Sequence, residues 1–276
     1  TPRLPPPASI SYSSLVDYGR CGYGYYLRRV LGLAEVAPPA GLEPAAYDAA
    51  DRGRIVHALL ERLDFARPAL PTPALVRAQA GGRLPTDAET AELAELAGAF
   101  GRSPLCARLA AAATVRREVS FAAPVGDLLV NGYIDVLAGE SDGRTLVVDY
   151  KTDRIDAGTD LAGRVAASYE IQRRIYGLAA LRAGASAVEV AYCFLRRPEE
   201  VVSVEYSAAD AGRLEAELLG LAAPLAAGRF DVSPRPHRGL CATCPGRARL
   251  CSWDEARTLG DDPGRPAGEQ AAVQGA

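Results

Sequence analysis

The stretch Asn131–Asp153, N-G-Y-I-D-V-L-A-G-E-S-D-G-R-T-L-V-V-D-Y-K-T-D, constrains the fold more than any other part of the chain. Two runs of strand-forming residues, 128–138 and 145–151, flank the turn signal Ser141-Asp142-Gly143, so the stretch predicts a β-hairpin. In the second run Asp149 and Lys151 interrupt an apolar series. Strand side chains alternate faces, which puts these two on one side, roughly 6.6 Å apart along the strand. The first run carries Asp135. A two-residue Asp142-Gly143 turn would pair Asp135 with Tyr150 and send the two carboxylates to opposite faces. A three-residue loop, Ser141 to Gly143 with Gly143 left-handed, pairs Asp135 with Asp149. The odd loop is the expectation.

Two carboxylates converging beside one ammonium repel each other, and burial penalises both. A divalent cation resolves the conflict, and hard oxygen ligands with open water positions suit Mg2+ or Mn2+. The plainer alternative is an ordinary hairpin with a surface Asp–Lys pair. One compositional fact favours the site: Lys151 is the only lysine, every other basic residue of the 31 being arginine. A lysine kept at this one place points to a need for a compact charge with an adjustable pKa, which a guanidinium does not supply.

At 276 residues and 49% hydrophobic composition the chain can bury a substantial core. The pattern is α/β: helices to residue 65, Ala-rich helices over 68–113, strands from Thr114, helix 161–183, strands 188–195 and 201–206, then helix 207–227. We read a single domain over 1–255 with 68–113 as a helical insertion, 230–253 as a ligand-rich segment and 256–276 as a disordered tail. No apolar run is long enough for a membrane span and the Pro-rich start has no signal-peptide character, which makes a cytoplasmic location the default. There is no methionine, so a piece of a longer polypeptide is expected. A net charge of −3 means that nucleic-acid binding would rest on local arginine clusters.

His57 lies on an apolar helical pattern. Alone it fits a core histidine, but beside an Asp135/Asp149 pair it offers a third ligand. Glu118 is either a further carboxylate for that site or a partner of Arg116 or Arg117. Cys241-x2-Cys244-x6-Cys251 has the close spacing that lets one short loop wrap a metal or cluster. Of the remaining cysteines, Cys106 and Cys193 sit in apolar patterns, and Cys21, in a loop, is the best fourth ligand, with His237 as runner-up. Zinc and iron–sulfur both fit the bare spacing, and the lack of a second C-x2-C pair leans toward a cluster.

The segments S-Y-S-S-L-V-D-Y-G-R-C-G-Y-G-Y-Y-L, G-R-I-V-H-A-L-L-E, G-Y-I-D-V-L, D-Y-K-T, Q-R-R-I-Y and the trailing C-x2-C-x6-C occur in this order. Together they resemble the RecB-like branch of the PD-(D/E)xK nucleases, in the subset that carries an iron–sulfur cluster, as AddB-type helicase–nuclease subunits do. The resemblance implies a restriction-endonuclease-like mixed sheet flanked by helices, with a C-terminal iron–sulfur clasp. It implies Mg2+ or Mn2+ held by His57, Asp135, Asp149 and the Tyr150 main-chain carbonyl, and Lys151 as the catalytic lysine with Asp135 and Asp149. Gln172 and Tyr176 would be the helix motif near the substrate, and Cys21, Cys241, Cys244 and Cys251 would hold a 4Fe-4S cluster. The implied function is hydrolysis of DNA phosphodiester bonds in break repair, with a helicase motor in the same polypeptide or in a partner. Two alternatives remain: a stand-alone exonuclease of the CRISPR-adaptation type, and a non-catalytic, cluster-stabilised DNA-binding module.

Overall fold

The computed structural model describes residues 9–39, 49–81, 84–156, 158–247 and 249–261. Along the chain run β1 (Ser9–Ser11), α1 (Tyr12–Arg20), α2 (Gly22–Tyr25), a π-helical turn (Tyr26–Val30), α3 (Ala49–Leu60), α4 (Pro73–Gln79), α5 (Asp87–Ala99) and α6 (Pro104–Ala111). Then come β2 (Thr114–Val125), β3 (Leu128–Gly139), β4 (Thr145–Lys151), α7 (Leu161–Ser168), α8 (Glu170–Arg182), β5 (Ala187–Phe194), β6 (Val201–Ser207), α9 (Ala211–Ala226), α10 (Arg238–Cys241) and α11 (Glu255–Thr258). The chain divides into two compact units, Thr1–Ala45 with Gly220–Ala276, and Ala46–Leu219. Together they span what the sequence suggests is one domain with its tail.

In the central unit five strands form a mixed sheet in the order β2-β3-β4-β5-β6. The β4–β5 pair is parallel and the others are antiparallel. The parallel step requires a crossover, which α7 and α8 provide. β4 and β5 are buried along almost their whole length, which is why they read as continuous apolar runs rather than as alternating ones. One face of the sheet, with Val136, Ala138, Leu146, Val148, Tyr150, Ala191 and Cys193, packs against apolar residues of α3, α4, α5 and α6. The three helices of 68–113 are therefore a layer of the core, where the sequence suggested an insertion. They begin where their caps say they should: Thr72 before Pro73, Thr86 with Glu89 as a capping box, and Ser103 before Pro104. On α8, Gly177 lets the helix press onto the sheet, since a β-carbon there would meet the Tyr206 ring at 2.6 Å.

One helix expected over 161–183 is two. Tyr169, at φ −122° and ψ 10°, leaves the helical region between α7 and α8. No glycine or proline marks the break; the tyrosine side chain is anchored elsewhere, as described below.

In the terminal unit Cys21 is not a loop residue but the N-cap of α2, its Sγ accepting from Gly24 N at 3.3 Å and from Ser233 N at 3.4 Å. α11 falls inside the segment read as a disordered tail and buries Thr258 completely. Residues 262–276, the rest of that tail, lie outside the described residues, as do residues 46–48 at the start of the long helix expected from Ala46.

Candidate metal and catalytic site

The hairpin has the odd loop. Gly143 N donates to Glu140 O at 3.1 Å and Glu140 N to Arg144 O at 2.9 Å, leaving Ser141 to Gly143 as the loop, with Gly143 at φ +86°. The register then runs Gly139 with Thr145 up to Val136 with Val148. The next pair in that register is Asp135 with Asp149, where the ladder stops. Tyr150 N–H donates to Asp135 Oδ2 at 2.8 Å, so a backbone donor at the end of the ladder is satisfied by a carboxylate.

Asp135 and Asp149 are 8% and 2% exposed, a degree of burial that carboxylates tolerate only with charged or hydrogen-bonded partners. The partners differ. Asp135 Oδ1 lies 3.3 Å from His57 Nδ1, which α3 brings to the site. Across β2, Glu118 falls between the pairs Arg117–Val136 and Val119–Ile134, opposite Asp135. It is the one non-glycine residue with positive φ among the described residues, at 46°. Ligand atoms of His57, Glu118 and Asp135 all lie within 4.8 Å of one another. That is a spacing one cation can span with oxygen and imidazole ligands.

Asp149 is held on its other side. Its Oδ1 accepts from Gln172 Nε2 at 2.8 Å and from Tyr176 OH at 3.2 Å. Its Oδ2 lies 2.6 Å from Lys151 Nζ, and this buried oxygen has no hydrogen-bond partner among the described residues. Lys151 Nζ also donates to Gln172 Oε1 at 2.9 Å. Gln172 and Tyr176, one helical turn apart on α8, thus converge on Asp149, and Tyr176 OH further reaches Tyr133 O at 2.8 Å.

The charges interact strongly. Burial pulls the His57 pKa down, but the hydrogen bond and charge of Asp135, with Asp149 and Glu118 behind, outweigh it and push it up to about 9. Burial raises the Asp149 carboxyl, and Asp135 adds to this against the opposing Lys151. Glu118 is raised by burial and then by Asp135, with His57 opposing. A set of acids pushed upward by each other is one that a cation would relieve.

The structure therefore brings together every residue singled out around the hairpin: His57, Glu118, Asp135, Asp149, Lys151, Gln172 and Tyr176. Within that set Glu118 is more central than its sequence suggested. The Tyr150 side chain lies in the core against Phe100 and His57. Tyr169 was not foreseen: its ring centroid is 4.0 Å from Lys151 Nζ. The available signal was its place three residues before Gln172, on the same helical face.

In the terminal unit Cys21, Cys241, Cys244 and Cys251 line one cavity with Tyr23, Arg28 and Trp253. No three of these sulfurs meet the 4.8 Å spacing found at His57, Glu118 and Asp135 among the described residues. Cys106 and Cys193 are buried in the core of the central unit, as their apolar settings predicted.

The chain is similar to bacterial ATP-dependent helicase/nuclease subunits. One from Desulforudis audaxviator (strain MP104C) is 34% identical over 188 residues, covering 58% of this chain and 14% of that protein. Another, from Bacillus cereus (strain AH187), is 31% identical over 165 residues, covering 51% of this chain and 13% of its own length. The chain thus corresponds to a small part of these relatives. The family model described as the PD-(D/E)XK nuclease superfamily matches residues 9–251, which include every residue of the site above. This chain belongs to the PD-(D/E)XK nuclease superfamily.

Proposed function

We propose that this chain is a nuclease domain that hydrolyses DNA phosphodiester bonds with Mg2+ or Mn2+, and that it works within a helicase–nuclease in DNA break repair. The observation that carries the proposal is the meeting of His57, Glu118 and Asp135 at single-ion spacing beside a buried Asp149–Lys151 pair. The donor set fits a hard divalent ion: two or three carboxylates and one imidazole, with Asp149 Oδ2 buried and short of a partner. His57, Asp135, Asp149 and Glu118 would hold the ion, with the Tyr150 carbonyl as a further ligand. When bound, the ion supplies Lewis acidity, lowering the pKa of water and offsetting charge on the phosphate.

The chain's own groups do the rest. Tyr150 N–H and His57 fix the two oxygens of Asp135, so the carboxylate cannot swing. Gln172 and Tyr176 fix Asp149, and Asp149 with Gln172 aims the Lys151 ammonium. From there Lys151 positions the attacking water and donates to the phosphate oxygen on which charge builds. The intact set of acids and lysine argues against a module that only binds DNA. The helicase motor, in the same polypeptide or in a partner, and a cytoplasmic setting are drawn from the relatives' names. Among the described residues no helix is long and apolar enough to cross a membrane. The test is incubation with labelled single- and double-stranded DNA in Mg2+ and in EDTA. Cleavage only with Mg2+ supports the proposal, and binding without cleavage in either condition sinks it.

The four-cysteine cavity supports a second component, a 4Fe-4S cluster on Cys21, Cys241, Cys244 and Cys251, of the kind found in the AddB-type branch. The sulfurs surround one space without converging to single-ion spacing, which suits a cluster better than a lone zinc. Purified without oxygen, the chain should be brown and contain iron and labile sulfide. Cys21→Ala should bleach it and Cys193→Ala should not; zinc without iron would overturn the assignment.

A further inference from the structure

Lys151, the chain's single lysine, is confined by more than its carboxylate and amide partners. Its Nζ lies 4.0 Å from the Tyr169 ring centroid and 5.5 Å from that of Tyr192. The two rings stack on each other at 5.7 Å and 25°, so the ammonium sits over an aromatic floor. A cation within about 6 Å of a ring face is attracted by the ring quadrupole, the more so when water is excluded, and the Lys151 side chain is 12% exposed.

Tyr169 is itself anchored. Its hydroxyl donates to Asp153, 2.7 Å from Oδ1 and 2.8 Å from Oδ2, and Arg164 Nη2 holds Asp153 Oδ1 at 2.9 Å. The helix breaks at this residue. A helical run that stops without glycine or proline, with the side chain at the break pinned at its tip and stacked along its face, gives up local hydrogen bonding for a fixed ring position.

We infer that Tyr169 is a positioning residue for Lys151, its ring setting where the ammonium stands, and that Asp153 and Arg164 act through it. The inference rests on the reading of Lys151 as the reacting lysine of the proposed nuclease. Asp149 and Gln172 each take one ammonium proton, and the ring bounds the side chain on a further side. With the ring gone, the flexible four-carbon stem samples other rotamers. The loss falls on the chemical step: about 5- to 30-fold in kcat, with KM little changed.

A single lysine makes the test direct, because lysine labelled with 13C and 15N gives one side-chain spin system in the full chain. In the native protein, without metal, the ε-methylene protons should lie upfield of their free-lysine position through the ring current of Tyr169. Tyr169→Phe should keep that shift and most of the activity, whereas Tyr169→Leu should lose the shift and reduce kcat. Melting of each variant separates this from unfolding. If Tyr169→Leu does not fold, Asp153→Asn, which frees the ring without removing it, should move the signal part of the way. An unshifted native signal, or a Tyr169→Leu signal unchanged from native, overturns the inference. A shifted native signal that responds to Tyr169, in a chain that never cleaves DNA, overturns the nuclease reading and the positioning role while leaving the contact.

Discussion

Replacing Glu118 with glycine should separate the stability of this fold from its capacity to hold a metal. Glu118 sits at φ 46° inside β2, a conformation that costs a side-chain-bearing residue about 1–2 kcal/mol. Glycine adopts it freely but gives back about 0.5–1 kcal/mol in chain entropy. Removing the carboxylate also removes its repulsion with Asp135, the charge that after burial contributes most to raising its pKa. The net effect in metal-free protein is a gain of about 0 to 1.5 kcal/mol, or up to roughly 5 °C in Tm for a chain of this size. The same change removes one of the three groups that meet at single-ion spacing. Mn2+ affinity should then fall at least about tenfold, the loss that removal of even an outer-shell partner produces. Glu118→Gln keeps the backbone strain and loses the charge, so its Tm should fall below that of Glu118→Gly. The assays are thermal melting in EDTA and Mn2+ titration by electron paramagnetic resonance. A glycine variant that melts well below the native chain, or binds Mn2+ as tightly, refutes the idea that strain is held here to aim a ligand.

Arg108 bridges Glu140 and Glu189, at 2.9 Å and 2.7 Å, and the Glu189 carboxyl is held below its usual range chiefly by this arginine. Arg108→Ala leaves these carboxylates uncompensated and should cost about 3–5 kcal/mol in denaturant unfolding at neutral pH. Because the folded Glu189 pKa is depressed, the native bridge stabilises above the unfolded value of 4.5 and fades as pH falls through the folded one, so the difference between native and variant should shrink in acid. His57 has the opposite sign. Its folded pKa of about 9 exceeds the reference 6.5, so in metal-free protein its contribution is full below pH 6.5 and is lost as pH rises to 9. Since a metal competes with that proton, Mn2+ affinity should rise across the same window with proton release, measurable by calorimetry in buffers of different ionisation enthalpy.

The hairpin was legible in the sequence because strand period and loop parity together leave few registers, and Gly143 marks the left-handed position. The caps at Thr72, Thr86 and Ser103 made α4, α5 and α6 legible as helices. Their role as one layer of the core was not, since local signals do not say which face meets which sheet. Glu118 and Tyr169 lay beyond reach for a shared reason. Each departs from its local preference, one inside a strand and one inside a helical run, because long-range partners hold it there, and such partners leave no trace in neighbouring residues. Cys21 was found as a candidate ligand by elimination among cysteines. Its part as a helix cap, bound to Ser233 N, depended on a contact more than 200 residues away in the chain.

The account's central claim is that Lys151 serves phosphodiester hydrolysis beside a metal held by His57, Glu118, Asp135 and Asp149, and Lys151→Arg tests it most directly. A guanidinium keeps the charge but is bulkier and holds its proton, and at this position it would have to fit between Asp149, Gln172 and the Tyr169 ring. The measurement is Mg2+-dependent cleavage of labelled single- and double-stranded DNA, with thermal melting and Mn2+ binding as controls. Loss of a transition-state contact worth about 3–4 kcal/mol predicts cleavage slowed roughly 10²- to 10³-fold with fold and metal binding retained. Near-native cleavage by the arginine variant would contradict the account and move the reacting site elsewhere on the chain.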